Sequence, residues 1–302
     1  MNNISNIIAG AEKIGCKYRL DAPMSEYTSF KTGGKADVVF LPSTELQLRS
    51  ILRMCSDEEI KPFIFGNGSN LLVSDDGIRG VTIRLSNNFE EIKLINETTI
   101  YCTAGTKLAT LCKFALEHSL TGLEFAYGIP GTAGGAAYMN AGAYGGEMKD
   151  VLYSCNHIDF SGNPGRLIGE QLGLGYRCSA YTDKYFVITG LTLVLEKGDK
   201  EQINAKMQEL LQKRIDKQPL DLPSAGSFFK RPEGNFAGAL IEQCGLKGFS
   251  VGGAQVSVKH AGFVVNKGGA TTADIMELGI LVSEKVLEET GVQLEREVKY
   301  IG

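Results

Sequence analysis

The chain has 302 residues, of which 43% are hydrophobic and 22% are charged, and its formal net charge is −4. These values are typical of a soluble globular protein with roughly two or three domains, and the slightly negative charge excludes a general electrostatic attraction to nucleic acid or to an anionic membrane. The opening residues MNNISNIIAG lack the basic start and the continuous apolar core of a signal peptide, so we expect a cytoplasmic protein.

The cysteines and histidines argue against disulfide and metal chemistry. The seven cysteines form no CxxC pair, and an odd number cannot form a complete set of disulfides, so we expect reduced thiols. The three histidines, His118, His157 and His260, show neither an HExxH motif nor another close metal-ligand spacing, so we expect no metal site. The cysteines are Cys16, Cys55, Cys102, Cys112, Cys155, Cys178 and Cys244.

The first elements in chain order are a helix, a strand and a second helix. Hydrophobic residues recur at helical spacing near the start, which predicts an amphipathic helix over residues 3–15 that covers a neighbouring sheet. A strand is predicted at Val38–Phe40, followed by a helix that Ser43 or Thr44 caps and that continues to Cys55.

A short buried strand, PFIF, is predicted next, and it ends in the turn GNGSN at residues 66–70. The glycines allow successive backbone N–H groups to converge on a diphosphate, and the side chains of Ser69 and Asn70 add further donors. The turn is not a Rossmann fingerprint, because Leu71 stands where GxGxxG needs its third glycine, and no P-loop motif occurs. Taken alone, such a turn is more often an ordinary hairpin or loop.

Strand and helix patterns then alternate through the middle of the chain. Short strands are predicted within residues 80–101 and at 151–160, with a helix at 106–118 between them. Residues 186–195, FVITGLTLVL, form the most continuous β pattern of the chain and are predicted to be a central strand.

A change of composition follows that strand. Residues 200–217 are predicted to form a polar, charged helix, which places a domain boundary near residue 198. Beyond it, helices are predicted at 235–245 and 271–289, with strands at 262–266 and at the end of the sequence.

The stretch Phe125–Gly146 contains no formal charge and seven glycines. Its glycines and Pro130 exclude a membrane-spanning helix, and its aromatic residues are unlike a flexible linker, which is polar and rich in serine. We therefore expect a buried, tightly turning backbone. A loop that faces a ligand is favoured over a compact structural loop, because clustered glycines mark close approach to the backbone.

Five stretches occur in one order along the chain: YTSFKTGGKAD, GNGSNLLVSD, GIPGTAGGAAYMNAGAYG, AGSFFKRP and LEREVKYIG, with GYRCSAY between the third and the fourth. Over residues 20–302 they resemble the UDP-N-acetylenolpyruvoylglucosamine reductases, flavoenzymes that make UDP-N-acetylmuramate for peptidoglycan. The resemblance implies an α+β fold, with a two-lobed FAD-binding domain of the vanillyl-alcohol-oxidase/PCMH type followed by a smaller α+β substrate-binding domain. The short connection after GYRCSAY implies the subtype that lacks an extra loop.

With the boundary near residue 198, the FAD-binding domain is expected at 1–198 and the substrate-binding domain at 199–302. The first domain includes the N-terminal helix at 3–15 and two lobes, at about 20–75 and 76–198. The resemblance implies that both glycine-rich segments hold FAD, and the absence of histidine from them implies noncovalent binding. The implied cofactor-binding residues are Gly66, Asn67, Gly68, Ser69, Asn70, Gly131, Thr132, Gly134, Gly135, Asn140, Tyr144 and Gly145.

Three residues match the catalytic positions of the family. In the reaction that the resemblance implies, hydride is transferred from flavin N5 to the enolpyruvyl ether, and negative charge is then delocalised into the substrate carboxylate. Arg177 suits the binding of this charge, because a guanidinium stays cationic and can donate two hydrogen bonds to a carboxylate. Ser227 matches the proton donor, and Glu297 matches a carboxyl group that works with Arg177. By sequence alone, Arg177 could form a structural ion pair, Ser227 a turn, and Glu297 a pair with Arg296 or Lys299.

Substrate phosphates require cations, and the basic residues nearest the Ser227 motif are Lys217, Lys230 and Arg231. With Tyr176, they form the expected substrate contacts. Some family members carry Asn in place of Arg231, which leaves the nucleotide contact at this position open.

The resemblance therefore implies an NADPH-dependent reductase, in which NADPH reduces FAD and leaves before UDP-N-acetylglucosamine enolpyruvate enters. No nucleic-acid or membrane partner is expected, and the protein is expected to be a monomer. Two alternatives remain open: an oxidase or dehydrogenase of another alcohol or sugar on the same flavin fold, and a noncatalytic nucleotide-binding module. The colour of the purified protein distinguishes the nucleotide-binding module, which would be colourless, from the reductase and the oxidase, which would both be yellow with bound flavin.

Overall fold

The computed structural model describes Asn2 to Gly302, with side chains from Ile4 onward. These residues form seven α-helices and eighteen strands. The helices are α1 (Asn2–Lys13), α2 (Glu45–Asp57), α3 (Leu108–Glu117), α4 (Ala133–Tyr138), α5 (Lys200–Lys217), α6 (Ala237–Gln243) and α7 (Thr272–Thr290). The strands are β1 (Lys17–Pro23), β2 (Lys35–Leu41), β3 (Phe63–Phe65), β4 (Leu71–Val73), β5 (Ile78–Arg84), β6 (Ile92–Leu94), β7 (Thr99–Thr103), β8 (Leu120–Thr121), β9 (Gly142–Ala143), β10 (Gly146–Glu147), β11 (Leu152–Asp159), β12 (Pro164–Ile168), β13 (Phe186–Val194), β14 (Glu196–Lys197), β15 (Ser250–Val251), β16 (Ala254–Val256), β17 (Val264–Asn266) and β18 (Lys299–Ile301).

The chain divides into two compact units that interleave along the sequence. Unit 1 consists of Met1–Leu20, Val38–Asn67 and Gly80–Lys213, and unit 2 of Asp21–Asp37, Gly68–Arg79 and Arg214–Gly302. Two early segments therefore belong with the C-terminal residues, which a single boundary near residue 198 does not describe. The assignment of 1–198 to the cofactor and 199–302 to the substrate stays a prediction.

A four-stranded sheet in the order β1-β2-β5-β3, with β3 parallel to β5, has most of its residues in unit 1. Helix α1 buries Ile7 and Ala11 in the same core cluster as Phe40 and Leu48, so the prediction of an amphipathic helix against a sheet is confirmed. Helix α2 begins after Thr44, whose side chain accepts a hydrogen bond from the Gln47 N–H at 3.2 Å. This satisfies one of the helix's first N–H groups, as the predicted cap requires.

The second part of unit 1 is a five-stranded antiparallel sheet in the order β12-β11-β13-β7-β6. Strand β13 is the middle strand of the five, and Leu191 and Leu193 on it are fully buried. The prediction of a central strand at residues 186–195 is therefore confirmed. Helix α3 and the small residues of α4 share one hydrophobic core with this sheet.

Helix α4 differs from the expectation, because the stretch Phe125–Gly146 was expected to turn without regular structure. The helix forms because AGGAAY contains no proline and follows Thr132, whose Oγ1 accepts from the Gly135 N–H at 3.4 Å. Its small residues permit a close approach to the sheet. A Cβ added to Gly134 would lie 2.6 Å from the Cβ of Ala104.

Unit 2 combines a three-stranded antiparallel sheet, β15-β16-β17, with the parallel pair β18-β4 and helices α6 and α7. Its core unites residues from distant parts of the sequence, including Phe30, Leu72, Phe228 and Val282. Helix α7 confirms the predicted helix at 271–289. Among the described residues, no helix has both the length and the apolar character needed to cross a membrane.

Candidate active site

The turn at Gly66–Asn70 offers five backbone N–H groups that donate to no other group within residues 2–302. The turn is tightly held, since the Ser29 N–H donates to the Gly68 carbonyl at 3.2 Å. Gly68 has φ +63°, and an added Cβ would lie 2.1 Å from the Tyr27 carbonyl oxygen, so only glycine fits there. The Ser29 hydroxyl is buried and has no partner among these residues. Unused N–H groups and a buried hydroxyl are what a diphosphate would satisfy.

The two predicted cofactor segments meet within unit 1. A Cβ added to Gly66 would lie 2.4 Å from Thr132 Oγ1, so the diphosphate turn and the start of α4 are in direct contact. The Asn67 side chain accepts a hydrogen bond from the Ser86 hydroxyl at 2.7 Å. The Gly131 carbonyl accepts from the Leu108 N–H at 3.1 Å, which fixes this segment against α3.

The hairpin formed by β9 and β10 presents Tyr144 and Gly145 at its tip. Both have positive φ, +54° and +90°, as the inner residues of a type I′ turn require. Tyr144 is 42% exposed. This hairpin therefore places the predicted cofactor residue Tyr144 on the surface of unit 1.

Asn140 lies between α4 and this hairpin and is fully buried. Its Nδ2 donates to Glu147 Oε2 at 2.7 Å and to the Gly175 carbonyl at 3.0 Å, and its Oδ1 accepts from the Lys149 N–H at 2.9 Å. A hydrogen bond from Lys149 to the Glu147 carboxylate raises the pKa of the lysine. The Asn140 side chain is therefore engaged within the protein.

Arg177 occupies a tight turn between Gly175 and Cys178, whose N–H groups each donate to the other's carbonyl, at 3.1 and 3.3 Å. Arg177 has φ +57°, and its guanidinium lies 5.0 Å from the centre of the Tyr176 ring. Tyr176 is 53% exposed. Tyr176 and Arg177 are therefore the two central residues of one exposed turn of unit 1.

Ser227 and Glu297 lie on neighbouring extended segments of unit 2. Ser227 is exposed and forms an isolated bridge with Phe263, while the Phe228 N–H donates to Gly262 and its carbonyl accepts from the Glu297 N–H, both at 2.9 Å. The segment that carries the predicted proton donor is therefore held by main-chain bonds on both sides.

Within unit 2, Asn70 contacts the same glutamate segment. The Asn70 side chain donates to the Glu297 carbonyl at 3.4 Å, and the Asn70 carbonyl accepts from the Lys299 N–H at 3.0 Å. Of the three predicted catalytic residues, unit 2 brings Glu297 and the Ser227 segment together, and Arg177 belongs to unit 1.

The predicted substrate cations of unit 2 differ in their surroundings. Lys217 is exposed at the end of α5. Lys230 forms an ion pair with Glu295, and Arg231 lies 4.0 Å from the centre of the exposed Phe236 ring. Within residues 2–302, no group of three or more metal-ligating side chains occurs.

Sequence reasoning missed two residues that shape these segments. The Ser29 N–H donates to the Gly68 carbonyl at 3.2 Å, and Asp75 accepts from the Thr272 and Ala273 N–H groups, each at 2.9 Å. Asp75 and Ser29 both stand in motifs that carried the resemblance. Their place in these motifs was the one feature of the sequence that could have drawn attention to them, and it does not show which residues they contact.

Comparisons with known proteins identify a cofactor domain and a family that account for these segments. Residues 36–166 match the FAD binding domain, and residues 218–301 match the family described as UDP-N-acetylenolpyruvoylglucosamine reductase, C-terminal domain. The chain is 47% identical over 286 residues to UDP-N-acetylenolpyruvoylglucosamine reductase of Syntrophomonas wolfei subsp. wolfei, with 95% of each chain covered. The predicted FAD cofactor is therefore confirmed.

Solved structures give the same result. The structure of UDP-N-acetylenolpyruvylglucosamine reductase from Thermus caldophilus is similar with a TM-score of 0.79 at 35% identity, covering 95% of this chain and 99% of that one. 4-Ethylphenol oxidase from Gulosibacter chungangensis is similar with a TM-score of 0.52 at 16% identity, covering 98% of this chain and 65% of that one, and shows the fold alone. The predicted α+β fold, with an FAD-binding domain of the vanillyl-alcohol-oxidase/PCMH type, is confirmed. The chain belongs to the UDP-N-acetylenolpyruvoylglucosamine reductase family.

Proposed function

We propose that this protein is an NADPH-dependent flavoenzyme that reduces the enolpyruvyl ether of UDP-N-acetylglucosamine enolpyruvate to UDP-N-acetylmuramate for peptidoglycan biosynthesis. The observation that carries the proposal is the row of unused N–H groups in the Gly66–Asn70 turn, in a chain of this family. Such a row suits the diphosphate of a dinucleotide cofactor.

The residues that would hold FAD belong to the two glycine-rich segments. The N–H groups of the diphosphate turn would donate to the phosphate oxygens, and Thr132, in contact with Gly66, would close the site on the side of α4. When bound, FAD supplies the hydride for the terminal carbon of the enolpyruvyl group after NADPH has reduced it. The proposed cofactor set, which binds FAD without a covalent bond, is Gly66, Asn67, Gly68, Ser69, Asn70, Gly131, Thr132, Gly134, Gly135, Tyr144 and Gly145. Asn140 is left out of this set because its fully buried side chain is bonded to Glu147, Gly175 and Lys149.

Arg177 and Glu297 have the proposed role of handling the negative charge that develops on the substrate. The Arg177 guanidinium would bind the substrate carboxylate, into which the charge is delocalised, and would stay cationic throughout. Glu297, whose N–H is fixed by the Phe228 carbonyl, would work with Arg177 on the enolate or in moving the proton.

Ser227 is the proposed proton donor to the carbon next to the reduced one. A serine hydroxyl is a weak acid, but an enolate is basic enough to take its proton when the two are held in contact. The exposed position of Ser227, on a segment held at Phe228 and Lys230, suits this role because the hydroxyl is accessible and its backbone is fixed.

The UDP portion of the substrate would be held by Tyr176, Lys217, Lys230 and Arg231. Lys230 is already paired with Glu295, so the exposed Lys217 is a stronger candidate for the diphosphate than Lys230. The Phe236 ring beneath Arg231 fixes the direction of the guanidinium.

We further propose a monomer that works in the cytoplasm, where NADPH and UDP-sugars are available, without nucleic-acid or membrane partners. The net charge of −4 supports the absence of a nucleic-acid partner. Light scattering on the purified protein at several concentrations tests the monomer, and a mass of twice 32.6 kDa contradicts it.

An anaerobic two-step experiment tests the proposed reaction. Purified protein with FAD should lose its yellow colour on addition of NADPH and regain it on addition of UDP-N-acetylglucosamine enolpyruvate, with UDP-N-acetylmuramate as product. Reoxidation by oxygen but not by the enolpyruvyl substrate would identify an oxidase of this fold. A protein that stays colourless with added FAD would instead be a nucleotide-binding module.

A further inference from the structure

The hydrogen bonds of Asn140 join the glycine-rich segment to the turn that carries Arg177. Both protons of its amide nitrogen face acceptors, Glu147 Oε2 and the Gly175 carbonyl, while its oxygen faces the Lys149 N–H. This arrangement fixes the orientation of the amide, because the reverse orientation would place oxygen against two acceptors. Asn140 has no exposed surface, so its amide acts on the protein and not on a ligand.

Gly175 is the first residue of the Arg177 turn, and its carbonyl oxygen has two donors. One is the Cys178 N–H, which closes the turn, and the other is Asn140 Nδ2 at 3.0 Å. Arg177 itself has φ +57°, a conformation that costs a non-glycine residue energy and persists only when the surroundings hold it.

A second hydrogen bond fixes the other side of the same turn. The Ser179 hydroxyl donates to the Tyr138 carbonyl at 2.7 Å, and Ser179 is buried. Residues on both sides of Arg177 are therefore tied to the end of α4, one at Tyr138 and one at Asn140. A turn held at two points has little freedom to shift the side chain it carries.

We propose that Asn140 is a positioning residue that sets the place of the Arg177 guanidinium through the Gly175 carbonyl. The inference rests on the proposed function, in which Arg177 binds the substrate carboxylate. Bidentate binding of a carboxylate requires accurate placement of the guanidinium, and a shift of about 1 Å can cost on the order of 100-fold in rate. The proposal gives Asn140 a role in the second step of the reaction, different from the cofactor contact expected for it.

Two variants test this role while preserving the positive φ of +43° at residue 140. Asn140→Asp keeps the size of the side chain but turns an oxygen towards the Glu147 carboxylate and the Gly175 carbonyl, and Asn140→Gly removes the amide. The matched control is Asn163→Asp, because Asn163 also donates its amide to a carboxylate, Asp159, on an exposed turn.

Both Asn140 variants should retain FAD and its reduction by NADPH, and should slow reoxidation by UDP-N-acetylglucosamine enolpyruvate by on the order of 10- to 100-fold. Asn163→Asp should behave as wild type in both steps. If Asn140→Asp fails to fold, Ser179→Ala tests the hydrogen bond from Ser179 to the Tyr138 carbonyl. This variant should also slow reoxidation by the substrate while leaving reduction by NADPH unchanged. Loss of FAD, or equal slowing of both steps, in Asn140→Gly overturns the proposal in favour of a cofactor contact.

A double-mutant cycle with Arg177→Lys separates this proposal from the function on which it rests. If Asn140 acts through Arg177, Asn140→Gly should have little further effect on reoxidation in the Arg177→Lys protein. Slow reoxidation in Arg177→Lys, with a normal rate in Asn140→Gly, overturns the positioning role alone. A normal rate in Arg177→Lys overturns the proposed role of Arg177 and this inference with it.

Discussion

The N–H of Glu297 donates a hydrogen bond of 2.9 Å to the carbonyl oxygen of Phe228, the residue after the proposed proton donor Ser227. Asn70 of the diphosphate turn donates its amide to the carbonyl of the same glutamate. Three motifs that are far apart in the sequence thus contact one another at the backbone of Glu297. Unit 2 therefore contains a fixed framework for two of the three proposed catalytic side chains.

Ser227→Ala should separate the two steps of the reaction. Removal of the hydroxyl leaves the main-chain bonds of Phe228 intact, so FAD binding and anaerobic reduction by NADPH should be unchanged. Reoxidation by the enolpyruvyl substrate should slow by on the order of 100- to 10,000-fold, the range for loss of a general acid. Stopped-flow absorbance of the flavin measures both rates. Ser224→Ala is the control, and an unchanged reoxidation rate in Ser227→Ala would remove this residue from the proton-donor role.

Gly66→Ala should weaken FAD binding, because its Cβ would lie 2.4 Å from Thr132 Oγ1 and force the two cofactor segments apart. Equilibrium titration with FAD should show a loss of at least about 10-fold in affinity, or about 1.4 kcal/mol.

The double variant Gly66→Ala/Thr132→Ala tests the cause of that loss. It removes Oγ1 and leaves the Thr132 Cβ at 3.4 Å, an ordinary contact, so part of the affinity should return. The recovery should be incomplete, since loss of the cap of α4 costs about 0.5–2 kcal/mol. No recovery would show that contact with Thr132 is not the cause.

Gly279→Ala should destabilise unit 2 although it lies within helix α7. An added Cβ would lie 2.5 Å from Cε1 of the buried Phe228 ring, and overpacking of about 1–3 kcal/mol should exceed the gain of about 1 kcal/mol in helix propensity. Urea unfolding measures the difference, and Phe228→Leu should partly rescue the variant.

Gly10→Ala provides the matched control for Gly279→Ala. Gly10 lies in α1, and its Cβ would meet the Sδ of Met54 in α2, near the end of a flexible side chain that can move aside. Its unfolding free energy should therefore be equal to or above that of the wild type. Destabilisation of both variants by the same amount would contradict the role of the Phe228 ring.

The unfolding free energy should fall as pH decreases below about 6.5, in part because of His157. Burial lowers the pKa of this imidazole, whose Nδ1 lies 3.0 Å from the Tyr181 hydroxyl. The unfolded chain therefore binds a proton at a higher pH than the folded chain does, and acid favours unfolding. One such proton changes the free energy by at most about 1.4 kcal/mol per pH unit.

His157→Gln should flatten this dependence below about pH 6.5, measured by urea unfolding at several pH values. The absolute stability of the variant is a separate quantity, because the substitution also alters contacts with Tyr181 and Phe186. Identical pH dependence in the variant and the wild type would show that His157 does not contribute.

Cys178 should be the first thiol of the folded protein to react with iodoacetamide. It is exposed, whereas burial raises the pKa of the Cys102, Cys112 and Cys155 thiols and hides them. Because Cys178 closes the Arg177 turn, alkylation should slow reoxidation by substrate more than reduction by NADPH. Peptide mass spectrometry identifies the modified residue, and Cys178→Ser should abolish the effect.

Elements with a clear periodicity were predictable from the sequence. The polar helix at 200–217 coincides with α5, because its charged residues and few apolar positions repeat at helical spacing. The central position of β13 followed from an unbroken run of apolar and β-branched residues, which suits a strand covered on both faces. Thr44 was identifiable as a cap because its side chain acts on the next turn of the same helix.

Relationships between distant segments were not predictable in this way. The parallel pairing of β18 with β4 depends on two three-residue strands too short to show a period. Asn140 gives no local signal, because its partner Gly175 is determined by the packing of α4 on the sheet. The division into interleaved units has the same origin, since Phe30 and Leu72 find their core among C-terminal residues.

The interleaving of unit 2 has a consequence during protein synthesis. Strand β4 gains its partner β18 only after residue 301 has left the ribosome, whereas every segment of unit 1 has been made by residue 213. Domains generally fold in the order in which their residues are made. The nascent polypeptide must therefore carry Phe30 and Leu72 without their final neighbours until residues 214–302 have been made, and during this interval it is exposed to aggregation and proteolysis.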